Sequence, residues 1–222
     1  MIVLPDVLTA EEVAAIRDAL AIATFEDGKL TAFGPAREAK NNPQLEREGT
    51  EANDLDTVLL TALSLHQLLQ TWAQPSRTTL PLINNDGPGM EYGMHVDSAF
   101  TPFGDPLRRD IFITLFLSEL DSYEGGELVV ETQGCPKKVK LQAGQAFAYT
   151  TNALHFVKPV KSGNRLAAVF WLQSLIHDNQ IRQSLFELTA ATSALREQLP
   201  KHPAFQMLGK VHQNLTRKFA QP

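Results

Sequence analysis

The stretch EYGMHVDSAF, residues 91–100, carries His95 and Asp97 one residue apart in a segment that otherwise reads as an apolar strand. In a strand, residues i and i+2 project from the same face. An imidazole nitrogen and a carboxylate oxygen would then stand side by side and could chelate one metal ion. Alone, the pair reads equally as a half-exposed strand end facing water. The stretch TTNALHFVKPV adds His155 at the start of a later strand, which an antiparallel barrel could bring beside His95; alone, His155 reads as a structural histidine. Two histidines and one carboxylate on a tripod leave coordination positions open. That set suits non-haem Fe(II) that must also hold a substrate and dioxygen, whereas a histidine-only or cysteine-containing set would argue for zinc. Ten residues after His155, Arg165 opens the segment RLAAVFWLQS and shares a face with Ala167, Val169 and Trp171. An arginine turned into a barrel is costly unless it meets an anion, and its guanidinium offers a bidentate fork to a carboxylate. A small dicarboxylate between the metal and Arg165 would satisfy both ends; the bland alternative leaves Arg165 at a hairpin mouth, pointing to solvent.

Elements of two kinds must position these residues. DVLTAEEVAAIRDALAIAT opens with a capping box, Thr9 with Glu12, and places Val13, Ile16 and Leu20 at helical spacing, which predicts a helix over about 10–24. Residues 25–54 are rich in Gly, Asn, Glu and Pro and read as short strands and loop. NDLDTVLLTALSLHQLLQTW reads as one helix capped by Asp54 or Asp56, with leucines on more than one face, as expected for burial against a sheet. From Thr78 to Ser174 short alternating segments are separated by Gly-rich turns, the pattern of an antiparallel sandwich or barrel. Beyond 177 the helical period returns. Asp178 caps a helix bearing Ile181, Leu185, Leu188, Leu195 and Leu199, and after Pro200–Pro203 a second carries Phe205, Leu208, Val211 and Leu215. The expected organisation is 1–176 as a β domain with N-terminal helices and 177–222 as a helical extension.

Composition bounds the function. The chain has 222 residues, 43% of them hydrophobic and 20% charged, with a net charge of −5. A sizeable core is available. No basic block marks a nucleic-acid or anionic-membrane partner. The lone Cys135 excludes an internal disulfide framework and fits a reducing compartment. The first residues lack the pattern of a signal peptide, and no apolar run approaches the ~20 residues needed to cross a bilayer. A cytoplasmic location follows as the expectation.

The sequence resembles the Fe(II)/2-oxoglutarate-dependent dioxygenases, and most of all the bacterial PKHD-type hydroxylases, a subgroup similar to prolyl 4-hydroxylases. The likeness rests on DGKLTAFGPAREAKNNPQL, YGMHVDSAF, TLFLSELDSYEGGELVV, VKLQAGQAFAYTTNALHFVKPVKSGNRLAAVFWLQSLI and the tail motif LFEL, in that order. It implies a mainly β fold with flanking helices, a double-stranded β-helix (jelly roll) core. It implies His95, Asp97 and His155 as iron ligands and Arg165 as the anchor for the C5 carboxylate of 2-oxoglutarate. Fe(II), 2-oxoglutarate as cosubstrate and L-ascorbate as a further cofactor come with it, as does a hydroxylation that releases succinate and CO2. One departure stands out. Related enzymes often carry an Arg-Tyr pair before the His-x-Asp segment; here Asn85 and Asp86 stand at about that place. Thr114 and Tyr92 are the alternative hydroxyls near the site. The expected partners are dioxygen and a small-molecule or peptide/protein substrate, a prolyl or other protein residue among them, with a homodimer through the C-terminal helices. The competing readings are a cupin-like metal isomerase or hydrolase, which would not require Arg165, and a non-catalytic jelly-roll binding protein.

Overall fold

The structure, a computed structural model, describes residues 1–31, 35–47, 50–102, 105–132 and 135–221. The chain runs through β1 (Ile2–Leu4), α1 (Ala10–Ala21), β2 (Phe25–Asp27), a 3-10 turn at Gly28–Thr31, α2 (Pro35–Ala39), β3 (Lys40–Asn41) and β4 (Pro43–Leu45). Helices α3 (Thr50–Leu65) and α4 (Gln67–Ala73) lead into β5 (Pro75–Thr78), β6 (Leu82–Asp86), β7 (Glu91–His95), β8 (Ile111–Phe116), β9 (Tyr123–Gly125) and β10 (Leu128–Val130). Then come β11 (Lys137–Val139), β12 (Ala146–Thr150), β13 (His155–Val157), β14 (Val160–Gly163), β15 (Arg165–Ser174), α5 (Asn179–Gln198) and α6 (Ala204–Phe219).

Among the described residues every strand pairing is antiparallel. One sheet runs β1-β12-β8-β15-β6-β4-β2, with β5 added beside β15; a second runs β11-β10-β13-β7-β3. The two-stranded β14-β9 sheet stands apart. Two facing antiparallel sheets of this kind form the expected double-stranded β-helix.

The period-2 alternation of the central strands explains how one sheet serves two cores. On β8, Ile111, Ile113 and Leu115 join Ala146 and Ala148 of β12 and Ala168, Phe170 and Leu172 of β15 in one cluster. That cluster also holds Val13, Ile16 and Leu20 of α1, Leu55, Leu59 and Leu63 of α3, and Leu69 and Trp72 of α4. The intervening residues, Phe112 and Phe116 of β8 with Phe147 and Tyr149 of β12, face the second sheet and meet Leu128 and Val130 of β10. Buried on both faces, β8 reads as an apolar run interrupted by Thr114. Each fully buried leucine or phenylalanine contributes on the order of 2 kcal/mol through removal of its surface from water. The helices thus fix the large sheet from behind and leave its inner face for chemistry.

Two N-terminal expectations need correction. The second predicted helix is two. It starts at Thr50, so Asp54 and Asp56 lie inside it, and Asp56 accepts from Arg47 Nη1 instead. The helix then breaks at His66, whose Nδ1 accepts from the Leu69 amide at 3.3 Å while Nε2 lies 2.7 Å from the Pro5 carbonyl. That tertiary tie converts a mid-helix position into the N-cap of α4. Elsewhere the caps fall where the sequence put them: Thr9 and Glu12 form the box on α1, and Asp178 accepts from Gln180 and Ile181. Leu185 and Arg182 of α5 are buried, and Ala220 bridges back to Ile176. No described helix is long and apolar enough to cross a membrane.

Candidate active site

Strands β7 and β13 are neighbours in the small sheet, and their register sets His155 directly opposite His95. The imidazole centroids stand 4.3 Å apart. Asp97 lies two residues beyond His95, just past the end of β7, and its Oδ1 is 4.0 Å from His95 Nε2. One ligand atom from each of His95, Asp97 and His155 falls within 4.8 Å of the others.

The donor set suits a divalent cation. His95 Nδ1 is 2.7 Å from the Gly93 carbonyl and His155 Nδ1 is 3.1 Å from that of Ala153. Only N–H can meet a carbonyl, so each neutral ring keeps the lone pair on Nε2, the tautomer a metal ligand needs. Burial and the neighbouring His155 push the His95 imidazole down to about 4, and burial lowers His155 as well. Both are therefore neutral near pH 7, with no proton to expel before binding. Burial raises the Asp97 carboxyl, opposed by a hydrogen bond from Trp171 Nε1 to Oδ2 at 3.0 Å and by His95. With Oδ2 held by the indole, Oδ1 is the oxygen left facing His95. A buried carboxylate in the field of Arg109, beside two neutral imidazoles with open Nε2 lone pairs, is a donor set that a divalent cation would complete.

The same cavity reaches Arg165, and Tyr92 and Thr114 also line it. Tyr92 stacks on His95 with centroids 3.9 Å apart; burial raises its phenol far above the ordinary range, so it stays neutral and acts as a wall. Thr114 is buried on the inner face of β8, paired with Val169 of β15. Val169 and Trp171, on the same face of β15 as Arg165, line the cavity, and Phe147 is sealed in the core behind it.

Arg165 is 2% exposed and does meet an anion, but one from the protein. It registers with Asp86 of β6, and its Nη1 donates to Asp86 Oδ2 at 2.7 Å. Asp86 Oδ1 in turn accepts from Asn42 Nδ2 at 2.9 Å. Arg165 Nε has no hydrogen-bond partner among the described residues; nor do Asn42 Oδ1, Gln44 Nε2 and Asn84 Oδ1, whose side chains line the same cavity. Gly126 makes room for the arginine, since a Cβ there would come within 2.9 Å of Arg165 Cδ.

Sequence reasoning brought together the four polar residues and missed three neighbours. Lys40 enters the cavity from β3, a strand too short to show a period. Arg109 lies over the Trp171 ring at 4.3 Å, out of view in a loop. Asp86 was noted only for its place, because its pairing with Arg165 spans 79 positions. Of the loop preceding the site, residues 32–34 lie outside the described residues; Arg37 and Asn41 are exposed, and Asn42 is buried in the cavity.

Residues 81–173, which contain all four site residues, match the profile of the 2OG-Fe(II) oxygenase superfamily. A PKHD-type hydroxylase of Alteromonas mediterranea is 40% identical over the whole of both chains. Another, of Saccharophagus degradans, is 40% identical over 98% of each. In fold, the chain resembles a Trichoplax adhaerens prolyl hydroxylase solved with a peptide fragment of the hypoxia inducible factor oxygen degradation domain: TM-score 0.55, 13% identity, 83% of this chain and 86% of that one.

Proposed function

Because the chain belongs to the PKHD-type hydroxylases, within the 2OG-Fe(II) oxygenase superfamily, it is an Fe(II)- and 2-oxoglutarate-dependent dioxygenase, and we propose that His95, Asp97 and His155 hold its iron while Arg165 receives the far carboxylate of 2-oxoglutarate. The observation that carries this reading is the single cavity lined both by the three proposed ligand residues and by Arg165.

When bound, the iron supplies the oxidative chemistry, coupling decarboxylation of 2-oxoglutarate by dioxygen, with loss of succinate and CO2, to hydroxylation of a substrate. The protein's part is positional. The Gly93 and Ala153 carbonyls hold the imidazoles in one tautomer, and the Trp171 indole turns Asp97 toward them. Val169, Trp171 and Tyr92 form an apolar wall that keeps bulk water from the reacting atoms. The free Nε edge of Arg165 offers an N–H donor to a carboxylate, and Thr114 is the hydroxyl we assign to the same end.

For the substrate we propose a prolyl or other protein residue. The support is the peptide complex formed by the Trichoplax prolyl hydroxylase of like fold, together with the exposed Met94, Val96, Phe100 and Leu154 that flank the metal-bearing strands. A peptide pool incubated with enzyme, Fe(II), 2-oxoglutarate and air, with and without L-ascorbate, should yield species heavier by one oxygen atom, in step with succinate; modification confined to small molecules would reject the peptide.

The cofactor reading is tested without any substrate. Anaerobic addition of 2-oxoglutarate to the Fe(II)-loaded protein should produce a weak visible charge-transfer band that is absent from His155→Ala. The same band in both proteins would remove His155 from the ligand set.

A further inference from the structure

Lys40 is a cavity charge that the proposed iron and cosubstrate contacts leave unexplained. Strand β3 pairs with β7 so that Lys40 lies opposite Tyr92, with its ammonium 5.6 Å from that ring. Lys40 is 4% exposed. Its Nζ donates to Thr31 Oγ1 at 3.1 Å. Among the described residues the lysine ion pairs are those of Lys158 and Lys161, so Lys40 has none. A buried ammonium with one neutral partner is costly, and such groups are found paired or facing a ligand.

The charges nearby show what kind of ligand. The field at Lys40 comes first from Asp86 and then from Asp27. Asp86, however, is already committed to Arg165 and Asn42. Arg165 and Asp86 together sum to zero, so this end of the cavity would have no net attraction for a carboxylate if it held only that pair. Lys40 adds one positive charge.

We propose that Lys40 supplies the net positive charge that draws the far carboxylate of 2-oxoglutarate to the Arg165 end of the cavity, with Asp86 acting as an internal carboxylate that competes with the cosubstrate for Arg165. This rests on the reading of Arg165 as the receiving group. The cosubstrate takes the Nε edge that Asp86 leaves open, while Asp86 holds the Nη1 edge and lowers affinity. The net charge of the cluster is then +1 in the wild type, 0 in Lys40→Met, +2 in Asp86→Asn and +1 in the double variant.

Calorimetric titration of the Mn(II)-loaded protein tests this without turnover. The probes are 2-oxoglutarate and oxalate, whose two carboxylates are both spent on the metal. For 2-oxoglutarate, Lys40→Met should weaken binding on the order of tenfold to a hundredfold, as for loss of a buried interaction with a charged group. Asp86→Asn should tighten it, and the double variant should return it to near the wild-type value. Oxalate should bind all four proteins alike. Three results would overturn the proposal: unchanged 2-oxoglutarate affinity in Lys40→Met, a double variant no better than Lys40→Met, or parallel loss of oxalate. If the wild type binds oxalate but not 2-oxoglutarate, the Arg165 reading fails and carries this inference with it; if the wild type binds 2-oxoglutarate and Lys40→Met does so equally well, this inference alone fails.

Discussion

The Trp171 indole donates to Asp97 Oδ2 at 3.0 Å across 74 positions of sequence. It is the one hydrogen bond that fixes which carboxylate oxygen faces His95 among the described residues. Partners that orient a metal ligand typically affect metal affinity by about 10–100-fold. Trp171→Phe keeps an aromatic wall and removes the donor. Metal affinity, measured by Mn(II) or Fe(II) titration, should fall within that range, while 2-oxoglutarate affinity at saturating metal stays close to wild type. Equal metal affinity in the two proteins would show that Asp97 is oriented by its backbone alone.

Arg165 and Asp86 form a buried pair at 2.7 Å, with side chains 3% and 4% exposed. Breaking such a pair from one side leaves an uncompensated buried charge and costs about 3–5 kcal/mol. Arg165→Met should therefore lose both 2-oxoglutarate binding and several kcal/mol of stability in urea unfolding. Adding Asp86→Asn should restore much of the stability and none of the binding. That split separates the anchor from the strut: stability recovered together with affinity would mean that Arg165 contributes only by neutralising Asp86.

The proposed iron ligands were legible because their signal is local. A strand's period of two suggests His-x-Asp as a same-face pair; β7 ends at His95, and the Trp171 indole holds Asp97 just beyond it, while the turn before His155 marks the start of its strand. The inner and outer faces of β8, β12 and β15 were legible for the same reason. What escaped depends on register between distant strands. Nothing near Asp86 says that it will oppose Arg165, and nothing in KNNPQL says that Lys40 will oppose Tyr92. The break at His66 is of this kind: the leucines run on through it, and a contact with the Pro5 carbonyl decides the matter.

Lys40 gives a pH dependence with a fixed sign. Burial lowers its ammonium from the ordinary 10.5 to about 8, against the fields of Asp86 and Asp27. The other groups facing it do not change charge in that window: Tyr92 is pushed well above it and His95 down to about 4. As pH rises through 8, the cluster's net charge falls and 2-oxoglutarate affinity should decline toward that of Lys40→Met, whose own profile should be flat there. The stability effect has the opposite sense. Between 8 and 10.5 the unfolded chain holds the proton more tightly than the fold, so the ligand-free wild type gains stability with rising pH relative to Lys40→Met. Below 8 the buried ammonium costs the fold on the order of 3 kcal/mol, so Lys40→Met should unfold at higher urea than wild type at pH 7. A destabilised Lys40→Met would identify Lys40 as a structural residue.

Two adjacent glycines should respond differently to the same methyl group. Gly125 (φ 77°) and Gly126 (φ 64°) both occupy the left-handed region, where an alanine costs on the order of 1 kcal/mol. A Cβ on Gly125 would lie 2.3 Å from the Pro159 carbonyl oxygen, a backbone atom that accepts from the Gly126 amide just before β14, so the paired strands themselves must shift. A Cβ on Gly126 meets the Arg165 stem at 2.9 Å, with Val160 and Tyr123 slightly farther away. Side chains yield more readily than paired backbone, and the guanidinium moves with its stem. Gly125→Ala should therefore show the larger drop in melting temperature. Gly126→Ala should show the smaller drop and, at saturating Mn(II), a several-fold loss of 2-oxoglutarate affinity with oxalate affinity kept, because a displacement of about 1 Å is enough to spoil a positioned contact. Undiminished 2-oxoglutarate binding by a folded Gly126→Ala would mean that Arg165 holds its place without the space this glycine leaves.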